Sequence, residues 1–220
     1  YQIGETYGNR ELVGSYVNYG ELDGQFDFNL YFDLRSVLLN ENESFEKLAN
    51  SLQESLNQYG CHNLMGNISG NHDMARFISY ADGSLSSRED DKEAGWSRNI
   101  QVKDTSAYQK LSLLTAYIMT IPGIPVLYYG DEIGIPGAGD PDNRRMMKFD
   151  NLTSKEQETK TTATRLVKLR RNNLPLIYGD YKVISITKNT CVFVRTYFGK
   201  AVIVVFNKSK QTEKISAFIS

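Results

Sequence analysis

The chain has 220 residues, with 25 Lys and Arg against 26 Asp and Glu, for a formal net charge of −1. That balance leaves no basic footprint for nucleic acid, while 40% hydrophobic residues suit a globular chain long enough to bury a core. No apolar run approaches the roughly 20 residues that span a bilayer; the most apolar stretch, LSLLTAYIMTIPGIPVLYY, is broken by two prolines.

The chain opens on YQIGET, without a Met and without a visible signal peptide. The expectation is that the natural N-terminus lies elsewhere, so localisation is not read from these residues. Residues 1–4 read as the end of a strand. NRELVGSYV, residues 9–17, reads as a short helix with Asn9 as its N-cap. YGELDGQFDFNLYF reads as a Gly-rich turn followed by alternating apolar and polar residues. Phe45, Leu48, Ala49, Leu52, Leu56 and Tyr59 recur at helical spacing, behind Ser44 as N-cap.

HNLMGNISGNHD follows as a short strand that ends in polar residues. Residues 81–105, rich in Asp, Ser, Gly and Arg, read as a loop. Residues 106–120 form a helix apolar on most faces, stopped by Pro122. IPVLYYG has the length and composition of a strand covered on both faces. Residues 134–150 are a Gly/Pro/Asp loop. Residues 154–173 are a polar helix with an apolar stripe at Ala163, Leu166 and Val167.

From Tyr181 the pattern turns to short β-type runs, YKVISI, CVFVRTYF, KAVIVVFN and TEKISAFI. Turns are expected at Lys188-Asn189, Gly199-Lys200 and Lys208-Ser209. Strand and helix alternate before that point, which implies a parallel sheet. The expected fold class is α/β: half of a (β/α)8 barrel over residues 1–178, then a small antiparallel β-domain over 179–220. Cys61 and Cys191 read either as two buried thiols or as one disulfide.

Parallel α/β folds carry function at the carboxyl ends of their strands. Three such places are polar here: IGET with Glu5, SGNHDMAR with His72 and Asp73, and YYGDEIGIPGAGDPDNRR. Taken singly, Glu5 fits a solvated acid, His72 a structural histidine and DPDN a tight turn. Together they resemble the α-amylase family of glycoside hydrolases. IGET resembles that family's general-acid motif after the fifth barrel strand, LDGQFDFNLY its sixth strand, GNHD its motif after the seventh, and PGIPVLYYGDEIG its eighth strand. GDPDNRR resembles the loop in which an Asp and an Arg four positions on hold the sugar. The form GDPDNRRMM is most similar to the neopullulanase, cyclomaltodextrinase and starch-utilisation α-amylase branches.

The resemblance implies a retaining α-glucan hydrolase, for which two carboxyl groups about 5–5.5 Å apart are required. Glu5 would be the acid/base, held protonated by burial or by a nearby negative charge. Asp73 would stabilise the oxocarbenium-like transition state. His72, Asp140 and Arg144 would bind sugar hydroxyls; an ion pair of Arg144 with Asp140 or Asp142 is the other reading and is compatible with that role. Asp131 and Glu132 are expected to brace their loop, and Arg76 to pair with an acid. In the family the first four barrel strands and the nucleophilic aspartate precede the Glu5 motif, and no stretch of this sequence matches them; the resemblance thus implies the C-terminal half of the barrel, strands five to eight, over residues 1–178, and a truncated β-domain over 179–220.

No metal ligand set and no cofactor are expected within the chain; calcium would enter only through residues of the family's other half. The resemblance further implies an α-glucan partner, a periplasmic or secreted setting, and self-association through exposed half-barrel edges. A family transferase or isomerase, or a catalytically dead member that binds glucan, are the other readings it allows.

Overall fold

The computed structural model describes residues 1–60 and 64–215. In chain order the elements are β1 (Ile3–Gly4), α1 (Arg10–Asn18), β2 (Gly24–Gln25), α2 (Phe28–Leu39), α3 (Phe45–Tyr59), β3 (Gly66–Ile68), α4 (Phe77–Asp82), α5 (Asp91–Ser97), α6 (Ala107–Thr120), β4 (Ile124–Val126), a 3-10 turn (Asp142–Arg144), α7 (Ser154–Arg171), α8 (Leu174–Tyr178), β5 (Asp180–Ile186), β6 (Thr190–Tyr197) and β7 (Lys200–Asn207). They fall into two compact units. The first comprises residues 1–68, 117–126 and 168–220, and the second residues 69–116 and 127–167.

All the strands belong to the first unit. β1 pairs with β2 and β3 with β4, both in parallel, and a parallel bridge from Phe26 to Gly66 joins the two pairs. The row β1-β2-β3-β4 thus follows sequence order, as one half of a (β/α)8 barrel requires. Local chemistry explains the intervening helices. Asn9 caps α1 by accepting from the Leu12 amide, and Ser44 caps α3 by accepting from the Glu46 amide. Gly60 closes α3 at φ 84°, a backbone region that favours glycine. Phe45, Leu48 and Leu52 form the buried stripe of α3; burial of each contributes about 1.5–3 kcal/mol relative to exposure. Arg10 ties α1 to α3 through Ser55 Oγ and Ser51 Oγ, at 3.1 and 2.6 Å.

The antiparallel sheet β5-β6-β7 lies in the same unit. Phe206 of this sheet packs against Phe45, Tyr117 and Phe193, with ring centroids 5.6–6.3 Å apart. Lys208 Nζ donates to the carbonyls of Val37, in the last turn of α2, and of Asn40 and Glu43 just after it. Two arginines are buried at the end of α6. Arg170 Nη1 donates to the carbonyls of Met119 and Ile121, and its Nη2 to that of Gly123. Arg195 donates to the carbonyls of Thr120 and Gly179 at 2.7 and 2.8 Å.

The second unit is built from α4, α5, most of α6 and α7, and the long loops around them. Ala75, Leu85, Ala94, Ile100 and Ala138 form an apolar cluster within it, with Tyr80 packed against it.

Several sequence expectations need correction. In LDGQFDFNLY only Gly24 and Gln25 are strand, because the Asp27 carboxylate accepts from the Leu30 amide and starts α2 there. The apparent alternation is the first turn of a helix whose buried residues include Phe28, Leu30, Tyr31 and Leu34. The 81–105 loop contains α5, capped by Asp90, which accepts from both the Lys92 and Glu93 amides. In IPVLYYG only Ile124–Val126 is strand, and it is half-buried rather than covered on both faces. Among the described residues only β3 pairs with it. The turn expected at Gly199-Lys200 falls one residue earlier, on Phe198 and Gly199. The helix expected over 154–173 ends at Arg171. Thr212–Ile215 of TEKISAFI form no strand, and the rest of that run lies outside the described residues, as does Cys61. Cys191 is a buried free thiol.

Candidate active site

Glu5 follows β1 directly, at the carboxyl end of a parallel strand, in the first unit. Its side chain is exposed. The other four candidates, His72, Asp73, Asp140 and Arg144, all lie in the second unit, and the structure brings them together.

The cluster rests on a buried brace. Ser69 Oγ donates to Asp131 Oδ2 at 2.5 Å and accepts from the Tyr128 amide at 2.9 Å. Arg76, 2% exposed, donates from Nη1 to Asp131 Oδ1 at 2.9 Å and to the Tyr129 carbonyl at 2.6 Å. Its guanidinium lies 4.1 Å from the centroid of the Tyr128 ring, a cation–π contact. Its Nε donates to the Asn143 carbonyl at 2.9 Å. Burial pushes the Asp131 carboxyl above its ordinary value, while Arg76 and Ser69 pull the other way.

Asn143 is the second tie. Its buried Nδ2 donates to the carbonyls of His72 and Met74 at 2.7 and 2.9 Å. The GNHD turn and the GDPDNRR loop are thereby held in one register. Arg145 completes the bracket, gripping Asp142 with Nε and Nη2 at 2.8 and 2.9 Å and donating to the Ile100 carbonyl. Such two-pronged pairs fix geometry as well as charge.

Above this brace sits an open polar face. Arg144 Nε donates to Asp140 Oδ1 at 2.9 Å and to the His72 carbonyl at 3.0 Å. Its Nη2 lies 3.5 Å from Asp73 Oδ1, and His72 Nε2 lies 3.4 Å from the same oxygen. The side chains of His72, Asp73, Arg144 and Asp140 are 52, 61, 43 and 38% exposed. One cation held between two carboxylates, with an imidazole alongside, offers donors and acceptors to a neutral polyhydroxyl ligand.

The alternatives left open for Arg144 resolve to Asp140, while Asp142 belongs to Arg145. The expectations for Arg76 and Asp131 are met by their mutual ion pair. Asn143, Ser69 and Arg145 were not singled out by the sequence. DPDN reads locally as a turn, and nothing in its composition shows that its Asn points inward. Among the described residues no group of three or more His, Cys, Asp and Glu could hold a metal ion, and no helix is long and apolar enough to cross a membrane.

Residues 1–173 match the family described as alpha amylase, catalytic domain. The chain belongs to the α-amylase family. Among its relatives, the cyclomaltodextrinase of Thermoanaerobacter pseudethanolicus is 33% identical over 155 residues, covering 69% of this chain and 22% of that protein. The cyclomaltodextrin glucanotransferase of Geobacillus stearothermophilus is 27% identical, covering 84% and 22% respectively. The α-amylase of Geobacillus thermoleovorans, solved in complex with acarbose, superposes with a TM-score of 0.79 at 26% identity, over 96% of this chain and 42% of that one. This α-amylase-family chain thus spans about a fifth of the length of the curated relatives named here.

Proposed function

We propose that the chain serves a retaining α-glucan hydrolase that cleaves α-1,4 bonds, with α-1,6 bonds as a second substrate class, in starch-type polysaccharides or maltooligosaccharides. The half-barrel would cover residues 1–178 and the β-domain 179–220, in a periplasmic or secreted enzyme. The observation that carries the reading is Arg144 held between Asp140 and Asp73, with His72 on the same carboxylate oxygen.

In this reading Glu5 protonates the glycosidic oxygen as the C–O bond breaks. It then removes a proton from the water that releases the sugar. Asp73 stabilises the positive charge that develops at the anomeric carbon. His72 binds the sugar being cleaved, and Asp140 with Arg144 holds its neighbour, fixing the ring before chemistry. The nucleophile is not among the residues assigned here. A transferase outcome, with a sugar hydroxyl replacing water, is the second reading; the cyclomaltodextrin glucanotransferase relative favours it.

The experiment is Glu5→Gln in the enzyme that carries this chain, assayed on maltooligosaccharides. Loss of a general acid lowers kcat by about 10²–10⁴-fold, with substrate binding retained. A kcat within threefold of the unaltered enzyme contradicts the assignment.

We also propose self-association through the edges of the parallel row. Among the described residues β1 pairs only with β2, and β4 only with β3. An unpaired strand edge is a template for another chain. Light scattering of the chain at micromolar concentration should give a dimer or larger species. A stable monomer rules this out.

A further inference from the structure

The β-sheet of the first unit carries an open groove of about 530 Å³ that none of the roles above uses. Three aromatic rings shape it. Tyr178, at the end of α8, lies 5.8 Å from Tyr197 with the planes at 40°, and Tyr197 meets Phe198 edge-on at 4.6 Å. Tyr178 and Phe198 are 63 and 88% exposed. Asp180, Thr196 and Lys200 complete the lining.

Phe198 occupies a costly position. It sits in the two-residue turn between β6 and β7 with φ 43°, beside Gly199 at φ 71°. Turns with both φ positive favour Asn-Gly or Gly-Gly, and a bulky side chain in this region is unusual. The turn therefore sacrifices stability while presenting an aromatic ring to solvent. Residues held this way cluster at ligand clamps.

The other wall is held rigid. Arg195, 1% exposed, donates to the Gly179 carbonyl at 2.8 Å and to the Asp180 carbonyl at 3.2 Å, fixing the step from α8 into β5. Gly179 has no room for a side chain, since an added Cβ would come within 2.7 Å of the Thr196 carbonyl oxygen. Tyr178 is thus delivered to the groove by a locked backbone.

We infer that this groove is a second α-glucan site, separate from the Asp73–Arg144 cluster and able to hold one or two glucosyl units of a chain. The inference rests on the α-glucan reading above. The face of a glucose ring exposes C–H bonds, which carry partial positive charge and suit the negative face of an aromatic ring. The ring's edge carries hydroxyls, for which Asp180, Thr196 and Lys200 supply acceptors and donors. One acid and one base make the polar lining neutral overall, which fits an uncharged sugar better than a phosphate or a polyanion. Groove size falls within the range of small-molecule sites, about 300–1,000 Å³.

The test uses the full chain in native gels containing soluble amylose, with β-cyclodextrin titration by calorimetry as a second probe. Tyr178→Ala and Phe198→Gly should each weaken retardation at least fivefold. Phe198→Gly removes the strained turn residue, so its thermal midpoint should hold or rise, and lost binding then cannot be lost folding. Asp73→Asn with Arg144→Ala should leave the groove's share of binding in place. Retardation by Tyr178→Ala and Phe198→Gly equal to that of the unaltered chain overturns the inference, as does a chain that amylose and β-cyclodextrin both leave unbound. Neither result touches the Glu5→Gln assay, so failure of the groove and failure of the proposed activity are read separately.

Discussion

The two units bury arginine in opposite ways. In the second unit Arg76 faces a carboxylate: Asp131 lies 2.9 Å away, both are buried, and Tyr128 covers the guanidinium. In the first unit Arg170 and Arg195 reach carbonyl oxygens at the end of α6, where a helix leaves its last carbonyls without intrahelical partners. The two also differ in what they join. Arg76 ties the stretch after β3 to Tyr129, Asp131 and Asn143, so it positions loops. Arg170 and Arg195 tie α7 and β6 to the end of α6, so they hold secondary structure. A charge paired with a charge serves the site, and a charge capping a helix serves the fold.

The largest expected effect breaks the first arrangement. Arg76→Met leaves the Asp131 carboxylate buried and unpaired, which should cost about 3–5 kcal/mol in denaturant unfolding. Adding Asp131→Leu removes the orphaned charge, and most of that loss should return. A double variant as unstable as the single one would show that the ion pair is not the source.

Arg195→Met should cost less, about 1–3 kcal/mol, because it orphans carbonyls and no charge. A loss equal to that of Arg76→Met would erase the contrast. Burial lowers the guanidinium pKa of both Arg170 and Arg195 to about 10, below the ordinary value for the group. A depressed folded-state value means that the group's favourable share exists above its unfolded value and is lost as pH falls through about 10. The whole burial cost is therefore already present at neutral pH. The stability gap between the unaltered chain and Arg195→Met should stay flat from about pH 6 to pH 9, as unfolding at several pH values would show.

What the sequence made legible follows the same division. The half-barrel could be read because α1, α3 and α6 carry helical periodicity with local caps or stops, and because the motifs at Glu5 and His72 stand just past strand ends, with that at Asp140 in the loop after β4. The hairpins could be read because Val192, Val194, Val202 and Val204 are strand formers between turn residues. The start of α2 was not legible, because FDFNLY fits two periods equally and only the Asp27 cap decides. Helix α5 was hidden by a polar composition that its N-cap overrides. Within the site, the exposed residues were legible from the family motif. The brace beneath them was not, because Asn143 reaches His72 across 71 positions and Ser69 reaches Asp131 across 62. No local pattern encodes a hydrogen bond of that range.

The central claim is that this brace presents Arg144 as a positioning contact for a sugar. Steady-state kinetics of Arg144→Ala on a maltooligosaccharide, in the enzyme that carries this chain, tests it most directly. Loss of a contact made equally in ground and transition states raises KM and spares kcat. The account predicts a KM raised about tenfold, on the order of 1.4 kcal/mol, with kcat within threefold. A KM unchanged from that of the unaltered enzyme, with kcat reduced instead, would contradict it.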